Sequence, residues 1–387
     1  MFYCGIDVAK HSHTVIVIDD KGDIVEPALE VTNDQNGFNR LDQLLSTYRD
    51  QLHIGLEATG HYWLALYERL SHLDYSLSVL NPMQVHAYRK IDLRKRKTDR
   101  KDAYWIADFI RFSNPKPSNQ DIPLILRLRE LSRFRFWLTQ QIGDCKRKII
   151  SILDRVFPEY EHIFSNVFLQ SSRALLQNAV TAEDFADFDL HELESILSRT
   201  SRGRFGEEKA RQIHETASQS IGVTFLADAI HIEMSCLLNQ IALLEEQQSL
   251  IDIKLEDLMN QIPQFITSIP GVGLTTGAML LAEIGDIHRF ESPEKLVAYA
   301  GIDPSVFITG QFEGDKMHMS KRGSHYLRYA LWQAACSSLL HNPELKSFYD
   351  KKRAEGKPHK VALGAVCNKL IKRIYVVLKE NRPYVLN

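Results

Sequence analysis

Four acidic residues in the first third of the chain are placed where they could act together. Asp7 and Glu57 each end a short apolar run (GI and IGL), and Asp99 and Asp102 lie three residues apart in a segment of helical pattern. A carboxylate at the end of an apolar strand is costly unless a cation compensates it, and residues three apart on a helix project from one face. Four such groups could hold two divalent cations about 3.5–4 Å apart, as in phosphoryl transfer. The alternative is structural, with Asp7 in a turn and the other pair capping a surface helix.

Basic residues crowd the sequence directly before and between two of these acids. A run of eight Lys and Arg residues consists of Arg89, Lys90, Arg94, Lys95, Arg96, Lys97, Arg100 and Lys101. A second basic cluster lies between residues 351 and 360. Such clusters attract phosphate backbones by releasing counterions, so the first run is predicted to bind nucleic acid. The alternative is a solvated, charged helix face.

Composition narrows the class of protein. The 387 residues, 44% hydrophobic and 25% charged with a net charge of −2, are typical of a globular protein of two or three domains. No apolar run approaches the roughly 20 residues of a membrane span, and no signal peptide opens the chain. The five cysteines are scattered without a CxxC pair, which disfavours a zinc site or a disulfide framework. We therefore expect a cytoplasmic protein with no membrane partner.

The elements that must position the acids follow a mixed α/β pattern. The opening segment contains two β-rich runs separated by a turn at Lys10–Ser12, and further short runs lie at His53–Thr59 and Leu77–Pro82. A helical stretch near Asn39–Tyr48 precedes the third run, and another spans about Asp99–Phe112. Strands followed by alternating strands and helices predict an α/β domain of about 110 residues.

Competing catalytic patterns are weaker. The sequence contains no Walker A, GxGxxG or HExxH pattern, and its histidines are scattered. GIDVAK followed by TVIVID also fits the start of an actin-like or sugar-kinase nucleotide domain. Such a domain needs a second phosphate-binding loop and glycine-rich adenosine contacts, which the sequence does not contain.

Two long segments in the middle of the chain carry apolar residues at alternating steps of three and four. This 3.5-residue period is typical of a coiled coil. The first seam runs through residues 128–156 and the second through residues 230–262, where Gln248 is a polar intrusion that could fix the register. The two helices could pair with each other as a hairpin or with a second subunit. We assign this region to architecture and oligomerisation, and no chemistry to residues 158–225.

The C-terminal part, from about Pro263, contains a glycine-rich turn between two helical runs. In FITSIPGVGLTTGAMLLAEIGD the turn Pro270–Gly273 is typical of a helix-hairpin-helix. Glycines permit the tight turn, and the N-terminus of the following helix offers free N–H groups to a DNA phosphate. We therefore predict that Gly271 and Gly273 contact nucleic acid. A plain turn between helices is the alternative.

Eight motifs in order resemble the transposases of the insertion-sequence 110 family. They are GIDVAK, GLEATG, LNP, KTDRKDA, SIPGVG, a GIDPS…TG loop, MSKRG and GAVCNKLIKRIYVVLK, and they extend over residues 3 to about 384. Each motif is short, but the ordered set is highly specific. The resemblance implies an RNase H-like (RuvC-like) catalytic domain over residues 1–124, a helical coiled-coil region over 125–262 and a mostly α transposase domain over 263–387.

The resemblance also implies roles for individual residues. The DEDD tetrad of the family falls on the four carboxylates above, with Mg²⁺ as the cofactor. The family uses a C-terminal serine as a nucleophile that links covalently to DNA, and this chain has Thr309-Gly310 in place of that Ser-Gly step. Threonine keeps a hydroxyl nucleophile, although its methyl group crowds an in-line attack. We predict Thr309 as the nucleophile, with Ser305, Ser320 or an impaired copy as alternatives.

The function implied by the resemblance is the excision and insertion of a mobile element through a circular double-stranded intermediate. Studied members pair a structured bridge RNA with target and donor DNA and assemble as tetramers. We expect the same partners, a homodimer or homotetramer, and a bacterial or archaeal cytoplasm, with Lys321 and Arg322 of MSKRG among the nucleic-acid-binding residues. The alternatives are a DNA invertase of the same family, a RuvC-like nuclease or junction resolvase that uses water, and a non-catalytic nucleic-acid-binding protein.

Overall fold

The chain folds into two compact units, Met1–Ile122 and Pro123–Asn387. The computed structural model describes residues 1–58, 60–90, 98–115, 117, 122–303, 308–309, 312–313 and 319–386. Among these residues no helix is long and apolar enough to cross a membrane. The division into three parts expected from the sequence stays a prediction.

A five-stranded mixed sheet forms the centre of the first unit. Its strands are β1 Phe2–Val8, β2 Ser12–Ile18, β3 Ile24–Thr32, β4 Leu52–Glu57 and β5 Ser76–Leu80. Their order is β3-β2-β1-β4-β5; β2 is antiparallel to both of its neighbours, while β1, β4 and β5 are parallel. All six residues of β4 are buried, as expected for a strand covered on both faces.

The sequence predicted four of these strands and missed β3. This strand lies at the edge of the sheet and contains Pro27, which has no N–H, between the charged residues Glu26 and Glu30. Edge strands tolerate proline and charge because one side of their backbone makes no ladder hydrogen bonds. The strand pattern is therefore weak in the sequence, and pairing with β2 decides the conformation.

Helices pack on the sheet of the first unit. They are α1 Gln35–Ser46, α2 Trp63–His72, α3 Pro82–Arg89 and α4 Asp99–Ser113. Helix α4 packs across β1, β2 and β4. It begins after Thr98, whose hydroxyl accepts a hydrogen bond from the Lys101 N–H at 3.3 Å. This helix start confirms the one predicted from the sequence.

The described part of the second unit is mostly helical, with one two-residue hairpin. Its elements are α5 Ile122–Val156, α6 Gln170–Leu176, α7 Ala182–Asp187, α8 Leu190–Ser201, α9 Glu207–Ser218, α10 Ala227–Asn260, α11 Leu274–Ile284, α12 Pro293–Ala300, β6 Ile308–Thr309, β7 Phe312–Glu313, α13 His325–His341, α14 Pro343–Ala354 and α15 His359–Lys379. Helices α11, α12 and α14 pack with α13 and α15, and their apolar faces share one core with α5 and α10.

The two long helices contact each other within one chain and run antiparallel. The Gln248 side chain donates a hydrogen bond to the Thr139 hydroxyl at 2.7 Å. On either side of this contact, Arg135 pairs with Asp252, and Lys148 with Glu233 at 3.0 Å. Of the two pairings predicted from the sequence, these contacts agree with a hairpin of the two helices within one chain. Gln248, the polar residue of the second seam, has its partner on the facing helix.

Candidate active site

Asp7 and Glu57 lie side by side at the ends of two parallel strands. The register between β1 and β4 pairs Ile6 with Leu56, so the next residue of each strand is one of the two acids. Neighbouring strands are about 4.8 Å apart, which brings both carboxylates to the same edge of the sheet. Alternation along β1 places Asp7 on the same face as Gly5.

Two glycines let helix α4 lie directly on that face. A Cβ at Gly5 would come within 2.0 Å of the Ala103 carbonyl oxygen, and one at Gly55 within 3.0 Å of the Ile106 side chain. A side chain at Gly5 would therefore push α4 off the sheet. The close approach carries the first turn of α4 to the ends of β1 and β4.

The first turn of α4 contributes the other two acids. The Asp102 side chain is only 8% exposed, whereas Asp99 is exposed at the rim of the cluster. The Asp102 N–H donates to the Thr98 carbonyl at 2.9 Å, which is the first backbone bond of the helix. Free N–H groups and the helix dipole stabilise carboxylates at this position. The helix start therefore favours two negative charges close to those of the sheet.

Arg89, the last residue of α3, joins the acids. Its Nη2 lies 2.6 Å from Oε2 of Glu57, and its Nη1 lies 3.4 Å from Oδ1 of Asp102. The Arg89 side chain is 18% exposed. Its Nε is buried and has no hydrogen-bond partner among the described residues. Sequence reasoning placed Arg89 with the nucleic-acid-binding residues, and the structure places it inside the carboxylate cluster.

The charges of the cluster act on Asp7. Burial raises the pKa of Asp7, the negative charges of Asp102, Asp99 and Glu57 raise it further, and Arg89 opposes them; the result is a pKa of about 6. Burial contributes most to this shift, and the charges of the three other predicted carboxylates add to it because they lie close to Asp7. The site therefore has more negative charge than Arg89 neutralises.

The donor set fits a hard divalent cation in its chemistry. Carboxylate oxygens are the ligands that Mg²⁺ prefers in proteins, and excess negative charge at a buried site favours such an ion. Within the described ranges, no group of three or more Asp, Glu, His or Cys side chains is arranged so that it could hold a metal ion. The cluster is arranged as an ion-paired set around Arg89 instead.

The predicted basic run is only partly described. Lys90 and Arg100 are exposed and Lys101 is half-buried, on either side of the carboxylate cluster. Arg94, Lys95, Arg96 and Lys97 lie outside the described residues. The exposed members therefore border the acids, where a phosphate backbone approaching them would also come near the carboxylates.

Thr309 lies in the small hairpin of the second unit. Its backbone pairs with Phe312 across β6 and β7, and the position of its hydroxyl lies outside what the structure describes, as does Ser305. Ser320 is described: its hydroxyl donates to Oδ1 of Asp303 at 2.5 Å. This hydrogen bond engages the hydroxyl of one alternative nucleophile.

The two ends of the segment that contains Thr309 are held together at its base. The Ser320 N–H donates to the Asp303 carbonyl at 2.9 Å, and the Lys321 N–H donates to the Gly301 carbonyl at 3.0 Å. Lys321 adopts a positive φ of 53°, a conformation that non-glycine residues adopt where a tight turn requires it. Arg322 is exposed beside it. The predicted basic residues Lys321 and Arg322 therefore lie at the base of this segment.

Sequence reasoning missed a buried acid in the second unit. Glu283 is 2% exposed, and its carboxylate accepts hydrogen bonds from Nε of Arg133 at 2.7 Å and from the Ser324 hydroxyl at 2.7 Å. Burial alone would raise the pKa of Glu283, but the hydrogen bond and charge of Arg133 outweigh it and lower the pKa. The signal was present, because Glu283 interrupts the apolar run AMLLAEIG as Asp7 ends its own run.

The turn Pro270–Gly273 is tight because its glycine meets α13. Gly271 has a φ of +95°, and a Cβ there would lie 2.5 Å from the Ser338 backbone. A short 3-10 turn, Ile266–Ser268, precedes it, and α11 follows without a side-chain cap. The first N–H groups of α11 are therefore not satisfied by a capping side chain.

A polar cavity of about 170 Å³ adjoins the start of α11. Thr275 and Thr276 of the first turn line it together with Ser132, Arg135 and other residues of α5 and α13. Ser132 is 1% exposed, and its hydroxyl has no hydrogen-bond partner among the described residues. A buried hydroxyl without a partner is costly, so this cavity suits a hydrogen-bonding ligand.

Comparison with known proteins shows which family the chain resembles. Residues 4–158 match the DEDD family model of IS110, described as "Transposase", and residues 264–350 match "Transposase IS116/IS110/IS902 family". The candidate mini-circle transposase for IS117 of Streptomyces coelicolor is 26% identical over 99% of this chain and 95% of its own length. The pilin gene-inverting protein of Moraxella bovis is 25% identical, over 99% of this chain and 97% of its own.

The transposase and gene-inverting matches show that the chain is an enzyme, a DNA transposase or recombinase. The two matched regions cover more than half of the chain and agree on one family. The chain belongs to the IS110 family of transposases, which confirms the resemblance found in its sequence motifs.

Proposed function

We propose that this transposase excises and inserts a mobile element with Asp7, Glu57, Asp99 and Asp102 as the acid tetrad of an RNase H-like domain. One observation carries the proposal. Residues from two strands and a helix, as far as 95 positions apart in the sequence, converge on one cluster, where burial and then the charges of the other acids raise the pKa of Asp7 to about 6. Structural roles alone do not require such repulsion, which costs stability.

The tetrad is proposed to hold Mg²⁺. The bound ion would neutralise negative charge that develops on the scissile phosphate. Asp7 and Glu57 are positioned for this by the β1–β4 register, and Asp102 by the close contact of α4 with Gly5. Asp99 is the exposed member of the proposed tetrad.

Thr309 is proposed as the nucleophile, in the same subunit as the tetrad it serves or in another. Its Oγ forms a bond to phosphorus, the bond from phosphorus to a sugar oxygen breaks, and that oxygen takes up a proton. The resulting protein–DNA ester is resolved when a sugar hydroxyl of the other DNA loses its proton and attacks the same phosphorus, the bond from phosphorus to Oγ breaks, and the threonine hydroxyl regains a proton. The hydrogen-bonded base at Gly301, Asp303 and Ser320 supports this role, because it fixes both ends of the segment that contains Thr309.

Nucleic-acid backbones are proposed to bind at two places. The first is the basic run from Arg89 to Lys101, beside the tetrad. The second is a helix-hairpin-helix at Gly271 and Gly273, where the first N–H groups of α11, which have no side-chain cap, support a phosphate contact. Lys321 and Arg322 would extend the contact surface.

Sequence choice is proposed to rest on a bridge RNA that pairs with target and donor DNA, in a dimer or tetramer of this chain in a bacterial or archaeal cytoplasm. The family resemblance supports these partners, and a coiled coil of α5 and α10 is the proposed architecture. The protein would then recognise mainly shape and charge.

A second candidate function is DNA inversion. Two pilin gene-inverting proteins, from Moraxella bovis and Moraxella lacunata, match over 99% of this chain at 25% and 24% identity. Inversion and transposition require the same strand chemistry and differ in how the recombining sites are arranged. Plasmid substrates with inverted or separate sites would distinguish the two by the product formed.

The acid tetrad is tested by Asp7→Asn, which should abolish strand cleavage and transfer while far-UV circular dichroism stays unchanged. Asp50→Asn, at an exposed acid of the same unit, is the matched control and should leave activity intact. Full activity of Asp7→Asn would contradict the proposed tetrad, whereas the absence of strand cleavage in the wild type as well would favour a non-catalytic nucleic-acid-binding protein.

The nucleophile is tested by trapping. When the protein is incubated with a DNA substrate and the mixture is then denatured, protein and DNA should stay covalently joined and migrate together in a denaturing gel. Strand cleavage without any adduct would refute the covalent mechanism and favour a nuclease or junction resolvase that uses water.

A further inference from the structure

The guanidinium of Arg89 stands where the carboxylates of the tetrad meet. It contacts Oε2 of Glu57 at 2.6 Å and Oδ1 of Asp102 at 3.4 Å, and all three side chains are less than one-fifth exposed. Arg89 ends α3, a helix that packs on α4. One cation therefore links an acid of the sheet with an acid of the covering helix.

This contact and a bound divalent ion compete for the same carboxylates. An Mg²⁺ ion binds carboxylate oxygens at about 2.0–2.1 Å and completes its shell with water. A guanidinium nitrogen 2.6 Å from Oε2 of Glu57 occupies one of the positions around that oxygen at which an ion could bind. Two cations at the same pair of carboxylates would also repel each other strongly in a partly buried site.

The contact of Arg89 with the acids is energetically costly, so another cation could replace Arg89. The Nε of Arg89 is buried without a hydrogen-bond partner among the described residues, so the guanidinium is only partly satisfied. The single positive charge of Arg89 is also too small to neutralise the four acids of the cluster. The next residue, Lys90, is exposed, so the chain reaches the protein surface directly after Arg89.

We propose that Arg89 is a built-in cation that holds the tetrad together before metal binding and leaves the carboxylates when the divalent ion enters. The inference rests on the proposed role of the tetrad as a metal site. Arg89 thus stabilises the metal-free protein and weakens its affinity for the ion. The two effects have the same origin, since the same oxygens serve both cations.

The test compares Mg²⁺ binding to the full chain without nucleic acid, measured by isothermal titration calorimetry. Arg89→Gln and Arg89→Ala should bind Mg²⁺ about tenfold more tightly or better, because removing a competing charge at a partly buried site has at least that effect. Without metal, both variants should unfold at a lower temperature than the wild type. Added Mg²⁺ should raise their unfolding temperature by more than it raises that of the wild type. Arg111→Ala is the matched control, since Arg111 forms a similar ion pair with Asp108 at 2.6 Å on α4, and its Mg²⁺ affinity should equal that of the wild type.

A second measurement uses the wild-type protein and does not depend on the folding of variants. Phenylglyoxal modifies accessible guanidinium groups, and peptide mass spectrometry reports the rate at each arginine. Added Mg²⁺ should increase the rate at Arg89 severalfold and leave the rate at Arg111 unchanged. Unchanged modification of Arg89 together with unchanged affinity in the variants overturns the inference about Arg89 but leaves the metal site standing. Absence of Mg²⁺ binding in the wild type and in every Arg89 variant overturns the proposed metal tetrad, and the inference with it.

Discussion

Glu283 and Ser324, 41 residues apart in the sequence, are joined by a hydrogen bond of 2.7 Å from the Ser324 hydroxyl to the Glu283 carboxylate. Ser324 also caps α13 by accepting a hydrogen bond from the Leu327 N–H, and Arg133 of α5 binds the same carboxylate. One buried acid of α11 therefore ties three helices together. It does so beside Gly323, where the segment that contains Thr309 returns to the core.

Replacing Glu283 should destabilise the second unit. Glu283→Gln removes the charge that Arg133 and Ser324 bind, and hydrogen bonds to a charged group are worth about 1.5–3 kcal/mol. We expect the free energy of unfolding in urea to fall by about 2 kcal/mol. Glu246→Gln, at an exposed acid of α10, should change it little, and an equal loss in both variants would contradict a special role of Glu283.

Gly5→Ala should disturb the site through the contact between β1 and α4. The added Cβ would meet the Ala103 carbonyl oxygen at 2.0 Å and the Ala107 nitrogen at 2.4 Å, so the helix must shift. Overpacking of this kind costs about 1–3 kcal/mol of stability. DNA cleavage should fall by more than this loss of folded protein explains, because Asp102 moves with the helix. Gly206→Ala, where a Cβ would meet nothing within 4 Å, is the control for both measurements. A Gly5→Ala protein with wild-type stability and cleavage would refute the close-contact argument.

Acid should remove a stabilising ion cluster at Glu344. Burial alone would raise the pKa of this carboxyl group, but hydrogen bonds from Lys369, Arg373 and Tyr384 lower it to about 2. A depressed pKa stabilises the fold above the ordinary value of 4.5, and this contribution is lost as the pH falls from there towards 2. The melting temperature of the wild type should therefore fall more steeply over this range than that of Glu344→Gln. Parallel pH profiles would contradict the assignment.

Thr309 should be needed for recombination because of its hydroxyl. Thr309→Ala should lower the recombination rate by about three orders of magnitude or more, as the loss of a catalytic nucleophile does, while Thr309→Ser should keep or raise it because the crowding methyl group is removed. A quantitative recombination assay with a covalent-adduct gel provides both readouts. Unchanged activity of Thr309→Ala would remove Thr309 from the mechanism, and Ser320→Ala would then be the next variant.

The local pattern of the chain was sufficient for much of the fold. The 3.5-residue period predicted the long helices α5 and α10. Helix α4 begins directly after its capping residue Thr98, close to the start near Asp99 that the sequence pattern predicted. These features depend on residues close together in the sequence. The strand β3 escaped prediction because Pro27 and its flanking charges are acceptable only at a sheet edge, which the sequence alone does not specify.

What the sequence determined by itself is the set of chemical groups: acids that end apolar runs, a basic run beside them, and the ordered motifs of one transposase family. The tertiary structure decided which of these groups meet. The β1–β4 register brings Asp7 beside Glu57, and the packing of α3 on α4 brings Arg89 between Glu57 and Asp102. Composition and periodicity report local conformation and burial, whereas these contacts join residues 13 to 50 positions apart. Such contacts follow from strand pairing and close packing of the whole unit, which no local pattern encodes.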